Sequence, residues 1–190
     1  MKNKKALIVT LSLVLMLILS ACASSSNQNS SDKKMNTDHK NMNMDGMEHS
    51  GSAEVPKGLK EAKNPTYKVG SQAIVRGSHM EGMNGAKATI VGAYDTTAYA
   101  VTYTPTTGGD KVINHKWVIQ EDNKDAGSDN LKPGTEVTLA ANHMKGMMGA
   151  TGTIDSAEKT TVYMIDYTPT TGGEKVTNHK WVIESELSKK

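Results

Sequence analysis

Tyr99 to Ile119 reads YAVTYTPTTGGDKVINHKWVI, and 64 residues later Tyr163 to Ile183 reads YMIDYTPTTGGEKVTNHKWVI. In each copy alternate residues are large and apolar (Tyr99, Val101, Tyr103; Tyr163, Ile165, Tyr167), the two-residue period of a strand with one buried face. Thr-Pro-Thr-Thr-Gly-Gly follows as a turn, with proline fixing one φ and the glycine pair free to take φ > 0. A second strand is expected over Lys111 to Ile119 and over Lys175 to Ile183. Each stretch therefore encodes strand, turn and strand.

The correspondence extends outward without a gap. His79-Met80-Glu81-Gly82-Met83 falls on His143-Met144-Lys145-Gly146-Met147, and about 28 of 50 aligned positions are identical, which marks an internal duplication. Glu136 to Ala141 alternates as a strand, and Ala88 to Tyr94 adds another after a Gly-rich loop. Four or five short strands in about 60 residues, with no helical stretch, predict an all-β chain of two tandem small SH3-like open barrels, because closure hides sheet edges. The expected domains are 57–122 and 131–190, joined by a polar linker over 123–130.

The N-terminus has a different character. Met1 to Lys5 is basic, Ala6 to Leu19 is apolar and uncharged, and Leu19-Ser20-Ala21-Cys22 is the pattern cut by lipoprotein signal peptidase. Residues 1–21 are expected as a lipoprotein signal peptide. Cys22, the one cysteine, is the expected lipidation site, anchoring the chain to the outer face of a membrane through its acyl chains. Residues 22–56, Ser/Asn-rich and then Met/His-rich, are expected as a disordered tether. With Cys22 acylated no disulfide framework is possible. The net charge of +2 is too small and dispersed to argue for nucleic acid as a partner.

The chemistry lies in methionine and histidine. The tether carries Met35, His39, Met42, Met44, Met47 and His49, and the repeated loops carry His79, Met80 and Met83, then His143, Met144, Met147 and Met148. Thioether sulfur is a soft, uncharged ligand that selects Cu(I), or its analogue Ag(I), over zinc, magnesium or calcium. Gly82 and Gly146 allow a tight turn on which His and two Met converge. Packing alone would account for one such loop, since methionine fills gaps in cores; it does not account for a third cluster in a polar tether. His115 and Trp117, like His179 and Trp181, stand two apart and are expected on one strand face. Trp as core and His as rim is the simple account. The sharper one makes His115 and His179 further nitrogen ligands, with Trp117 and Trp181 laid over the cation.

The pair HMEGMNGAKATI and YTPTTGGDKVINHKWVI, with its second copy HMKGMMGATGTI and YTPTTGGEKVTNHKWVI, resembles the YdhK-like family of bacterial lipoproteins, in which the staphylococcal copper-binding lipoprotein CopL is also placed. The resemblance covers nearly everything from about residue 65 onward. It implies an extracytoplasmic copper-binding role in copper resistance, beside a copper-exporting ATPase in Gram-positive bacteria.

The sequence thus points to a non-enzymatic, monomeric, membrane-anchored protein that sequesters Cu(I). No Ser/His/Asp grouping, thiol nucleophile or paired acids in a repeated motif suggest catalysis. Two other classes stay open. Tandem barrels could bind peptidoglycan, using Trp117, Trp181 and the tyrosines as stacking platforms; an oxidase running Cu(I) to Cu(II) is the enzyme alternative. The anchor is testable directly. Cys22→Ser is expected to release the protein from membranes or leave it unprocessed, read by fractionation and mature mass; a membrane-bound Ser variant of mature size refutes the lipid anchor.

Overall fold

The computed structural model describes residues 50–124 and 126–190. The expected signal segment 1–21, Cys22 and the tether donors His39, Met42, Met44, Met47 and His49 lie outside them. The described chain is all-β, as expected, with nine strands and two single-turn 3-10 segments. These are β1 (Lys60–Glu61), β2 (Gln72–Val75), β3 (Lys87–Tyr103), β4 (Val112–Ile119), a turn at Gln120–Asp122, β5 (Asn123–Lys124), β6 (Glu136–Leu139), β7 (Thr151–Tyr167), β8 (Val176–Ile183), a turn at Glu184–Glu186 and β9 (Leu187–Lys189).

The two strands expected within each copy, Ala88 to Tyr94 and Tyr99 to Tyr103, are one continuous strand of 17 residues. The intervening Asp95-Thr96-Thr97 contains no glycine or proline, and β-branched threonine favours extended backbone. Instead of folding back on itself, β3 pairs antiparallel with its own repeat, β7, from Ala88↔Tyr167 through Thr96↔Thr160 to Tyr103↔Gly152. Equivalent residues meet at Thr96 and Thr160, so the repeat generates a pseudo-two-fold axis there.

This pairing exchanges the halves of the two copies. In one lobe β9, β2, the first half of β3, the second half of β7 and β8 lie side by side; in the other, β5, β6, the first half of β7, the second half of β3 and β4 do. The 3-10 turn before β9, like that before β5, carries the chain across to pair with the first strand of its lobe. Each lobe is a small open barrel, but neither is built from one copy. Ala73, Val75, Met83, Ala88 and Ile90 share a core with Tyr163, Ile165, Tyr167 and Leu187. Tyr99, Val101 and Tyr103 share the other with Val137, Leu139, Met147 and Ile154. The expected boundaries 57–122 and 131–190 therefore describe the sequence repeat, while the packing units cut across it.

A third core forms where the long strands present their other face. Ala98, Ala100, Val162 and Met164 pack with Trp117, Ile119, Trp181 and Ile183. Because both faces of β3 and β7 are covered there, small alanines alternate with tyrosines along β3. The chain has no phenylalanine; its large aromatic core residues are Tyr99, Tyr103, Tyr163, Tyr167 and Trp181, all fully buried. Burying such side chains stabilises the fold by roughly 2 kcal/mol each. Residues 50–54, placed in the tether by their sequence, instead run along β8: Gly51 N–H donates to Thr177 O at 2.9 Å, Thr177 N–H to Ser50 Oγ at 3.0 Å, and the Lys180 ammonium to Glu54 O.

The two repeated motifs also dock across copies. Thr170 N–H donates to Gly82 O at 2.8 Å, and Thr106 N–H to Gly146 O at 2.9 Å. Gly82 has φ +70°, and a Cβ there would lie 2.5 Å from Thr171 Oγ1 and 2.8 Å from Pro169 Cβ. His-Met-x-Gly-Met of one copy is thus seated under Thr-Pro-Thr-Thr-Gly-Gly of the other. Gly82→Ala is expected to cost about 1–3 kcal/mol of unfolding free energy by urea titration, through positive φ and displacement of the turn. Gly108, with φ +78° and nothing within 4 Å of a Cβ, is the control that isolates the backbone part; equal losses for Gly108→Ala and Gly82→Ala would refute the docking contribution.

Candidate functional site

The exchange brings a histidine and a tryptophan of one copy against a carboxylate of the other, twice. His79 Nε2 lies 2.6 Å from Glu186 Oε1, and Trp117 Nε1 donates to Glu186 Oε2 at 2.9 Å. Across the pseudo-two-fold, His143 Nε2 lies 3.3 Å from Asp122 Oδ2, to which Trp181 Nε1 donates at 3.0 Å. Both carboxylates sit in the 3-10 turns and also accept a backbone N–H, from Ile183 at 3.2 Å and from Ile119 at 3.2 Å. Each is therefore largely satisfied by donors, which is the condition for keeping a carboxylate buried. Burial opposes the ionisation of Glu186, but His79, Trp117 and the Ile183 amide together hold its pKa below the ordinary carboxylate value.

The two clusters are unequal in a compensating way. Gly77 backs the longer Glu186: a Cβ there would sit 3.1 Å from His79 Nε2 and 3.2 Å from Glu186 Cδ. The matching position in the second copy is Ala141, buried in its lobe core, and the matching carboxylate is the shorter Asp122. One methyl group more on the loop accompanies one methylene fewer on the acid.

His115 stands beside this framework. Its ring meets Tyr103 edge-on at 5.9 Å and lies 6.5 Å from the ring of His143, tilted by 42°. Burial first, and then the nearby His143 and His79, lower its pKa to about 4, so it is neutral at neutral pH. His115 Nε2 and His143 Nδ1 are both buried without a hydrogen-bond partner. His179 meets Tyr167 edge-on at 5.7 Å, the same contact in the other lobe.

The strand rule that put His115 and Trp117 on one face is interrupted. Val101 pairs with His115 and Tyr99 with Val118, so three steps on β4 answer two on β3, and another irregularity follows before Tyr103↔Val112. Such bulges reset the alternation. Asn114 and Asn178, at φ 51° and 52°, take the left-handed conformation that asparagine tolerates better than most residues, and the Lys116–Trp117 and Lys180–Trp181 peptides are cis. Trp117 joins the central core and meets His79 edge-on at 6.3 Å, while Trp181 meets His143 at 6.4 Å.

The expected ligands are placed as follows. Met83 and Met147 are fully buried in the two lobe cores, where packing accounts for them. Met80 and Met144 are half-buried against those cores, and Met148 is exposed. Gly82 and Gly146 make the anticipated tight turns, but the turns send the second methionine inward. The cation beside each tryptophan is its own neighbour, Lys116 Nζ at 5.0 Å from the ring of Trp117 and Lys180 Nζ at 6.0 Å from that of Trp181. Trp117 and Trp181 are too buried to act as stacking platforms for a wall polymer. Among the described residues no three His, Cys, Asp or Glu side chains form a group that could hold a metal ion. Asp122 and Glu186 lie outside the repeated motifs, and their one signal in the sequence is that acids of different type coincide under the 64-residue shift.

Fold and site together define an all-β protein of two interlocked open barrels, with buried histidines clamped by carboxylates exchanged between its repeats. The chain belongs to the DUF1541 family, described as a protein of unknown function, whose profile matches residues 69–120 and 133–184. It is 60% identical over 191 residues to the uncharacterized protein YdhK of Bacillus subtilis strain 168, spanning 100% of this chain and 92% of that one. A crystal structure of the B. subtilis DUF1541 protein ydhK superposes with a TM-score of 0.74 at 70% identity, over 76% of this chain and 98% of that one. A solution structure of the ydhK C-terminal domain gives 0.62 at 70% identity, over 65% and 93%.

The burial of His115 sets a pH dependence. Its folded pKa, about 4, lies below the unfolded value of about 6.5. Its contribution is therefore complete above the unfolded value, and stability falls as pH drops from about 6.5 to about 4, by about 3 kcal/mol in all. Urea midpoints of metal-free protein are expected to drop over this window, and His115→Gln to flatten the drop. An unchanged slope in that variant would assign the titration elsewhere.

Proposed function

We propose that the protein is a non-enzymatic, lipid-anchored binder of Cu(I), and of Ag(I), on the outer face of the cell membrane. It would lower the free copper available for re-entry after export by a copper-exporting ATPase. The observation that carries this reading is the gathering of imidazoles: His79 and His143 on the carboxylates exchanged between copies, and the buried, neutral His115 beside His143. A carboxylate on one imidazole nitrogen orients the ring and raises the basicity of the other, the usual support of a metal-binding histidine. The half-buried thioethers of Met80 and Met144 adjoin His79 and His143 in the sequence, and the Met/His stretch from Met35 to His49 supplies further soft donors. The resemblance of the repeated motifs to the YdhK-like family of lipoproteins implies such a surface role in copper resistance.

Anaerobic competition with a chromophoric Cu(I) chelator tests the reading. Cu(I) is expected to be retained against an excess of Zn(II), and Met80→Leu with Met144→Leu to weaken it at least about tenfold, which corresponds to about 1.4 kcal/mol. The Leu changes conserve volume and spare the fold. Displacement of Cu(I) by equimolar Zn(II), or no uptake of Cu(I), would refute the function.

A further inference from the structure

His143 presents its two ring nitrogens to different surroundings. Nε2 faces Asp122 Oδ2 at 3.3 Å, whereas Nδ1 is buried with no hydrogen-bond partner. A neutral imidazole carries one N–H and one lone pair, and a carboxylate takes the N–H side. That leaves a lone pair on Nδ1. The neighbouring ring is His115, whose Nε2 is also buried and without a partner. Buried polar atoms in folded proteins nearly always have partners, so two in adjacent rings require an explanation.

The spacing fits one in which these two nitrogens face each other. The ring centroids are 6.5 Å apart. A direct N–H···N bond of about 2.9 Å, with each nitrogen about 1.2 Å from its ring centre, would bring the centroids to about 5 Å. A cation about 2 Å from each nitrogen spreads them to about 6 Å, near the separation found.

We propose that His115 Nε2 and His143 Nδ1 form a two-coordinate site for a soft monovalent cation, Cu(I) or Ag(I), with Asp122 the positioning residue for the His143 ring. This rests on the metal-binding function proposed above and adds, beside the thioether donors, a separate all-nitrogen site with its ligand atoms, its coordination number and the carboxylate that positions it. Filled-shell monovalent ions accept two nitrogen ligands, whereas zinc requires about four. Tyr103 borders the His115 ring and Trp181 the His143 ring, limiting water as a further ligand, and Asp122 offsets the positive charge. His115 and Asp122 come from one copy and His143 from the other, so the site depends on the pairing of β3 with β7.

The test is Ag(I) titration of the full chain in detergent, with ¹⁵N-labelled histidines, because silver nuclei couple to the nitrogen they bind. One equivalent is expected to shift and split His115 Nε2 and His143 Nδ1, leaving His143 Nε2 protonated. His115→Gln should lose one tight equivalent together with the His143 response. Asp122→Asn should weaken the site roughly 10–100-fold, the usual effect of removing such a carboxylate. If His115→Gln does not fold, the nitrogen signals of the unaltered chain decide alone. Stoichiometric uptake that leaves these two nitrogens unmoved, or leaves His143 protonated at Nδ1, overturns the site but not the metal-binding function. Absence of any Ag(I) or Cu(I) uptake overturns both.

Discussion

The antiparallel pairing of β3 with β7 is the constraint on which everything else depends. It is the longest ladder among the described residues, from Ala88↔Tyr167 to Tyr103↔Gly152, and it places the two copies head to tail about Thr96 and Thr160. A strand that continues where a hairpin could turn must find its partner elsewhere, and in this chain the available partner is its own repeat. Both lobe cores, the central core around Trp117 and Trp181, and both carboxylate clamps follow from that exchange. Each clamp thereby ties a loop of one copy to a 3-10 turn of the other.

Duplication followed by divergence is visible in the clamps. Glu186 reaches His79 at 2.6 Å over Gly77, and Asp122 stands 3.3 Å from His143 in the copy where Ala141 replaces that glycine. The pairs of changes preserve the volume of the cluster while altering its contact. The tighter clamp fixes His79 on Glu186; the looser one leaves His143 beside His115, where the unpartnered ring nitrogens lie.

The methionines divide into two kinds that sequence alone treats alike. Met83 and Met147 belong to the barrel interiors, and the glycine before each is required by the turn packed on it. Met80 and Met144 stand at the core margins, next to the clamped histidines. One His-Met-x-Gly-Met loop therefore serves packing with its last residue and sets its histidine on a carboxylate of the other copy. Packing and clamp share five residues, and motif repetition does not separate them.

Much of the fold was legible in the sequence. Alternating Tyr99, Val101 and Tyr103, the Pro-Thr-Thr-Gly-Gly turns and the 64-residue repeat determine strands, turns and an all-β class, because side-chain period and turn chemistry are local. The histidines and Met80 and Met144 were identifiable as candidates for the same local reason. Which copy supplies each strand was not legible: Asp95 to Thr97 could bend or extend, and only the pairing of β3 with β7, with the three cores covering their faces, decides it. The bulges in β4 were likewise hidden, so the shared face of His115 and Trp117 did not survive folding. Asp122 and Glu186 carry no local signature of their role. They become partners of His143 and His79 only across the exchanged halves, since a buried carboxylate is held by donors that tertiary structure alone brings to it.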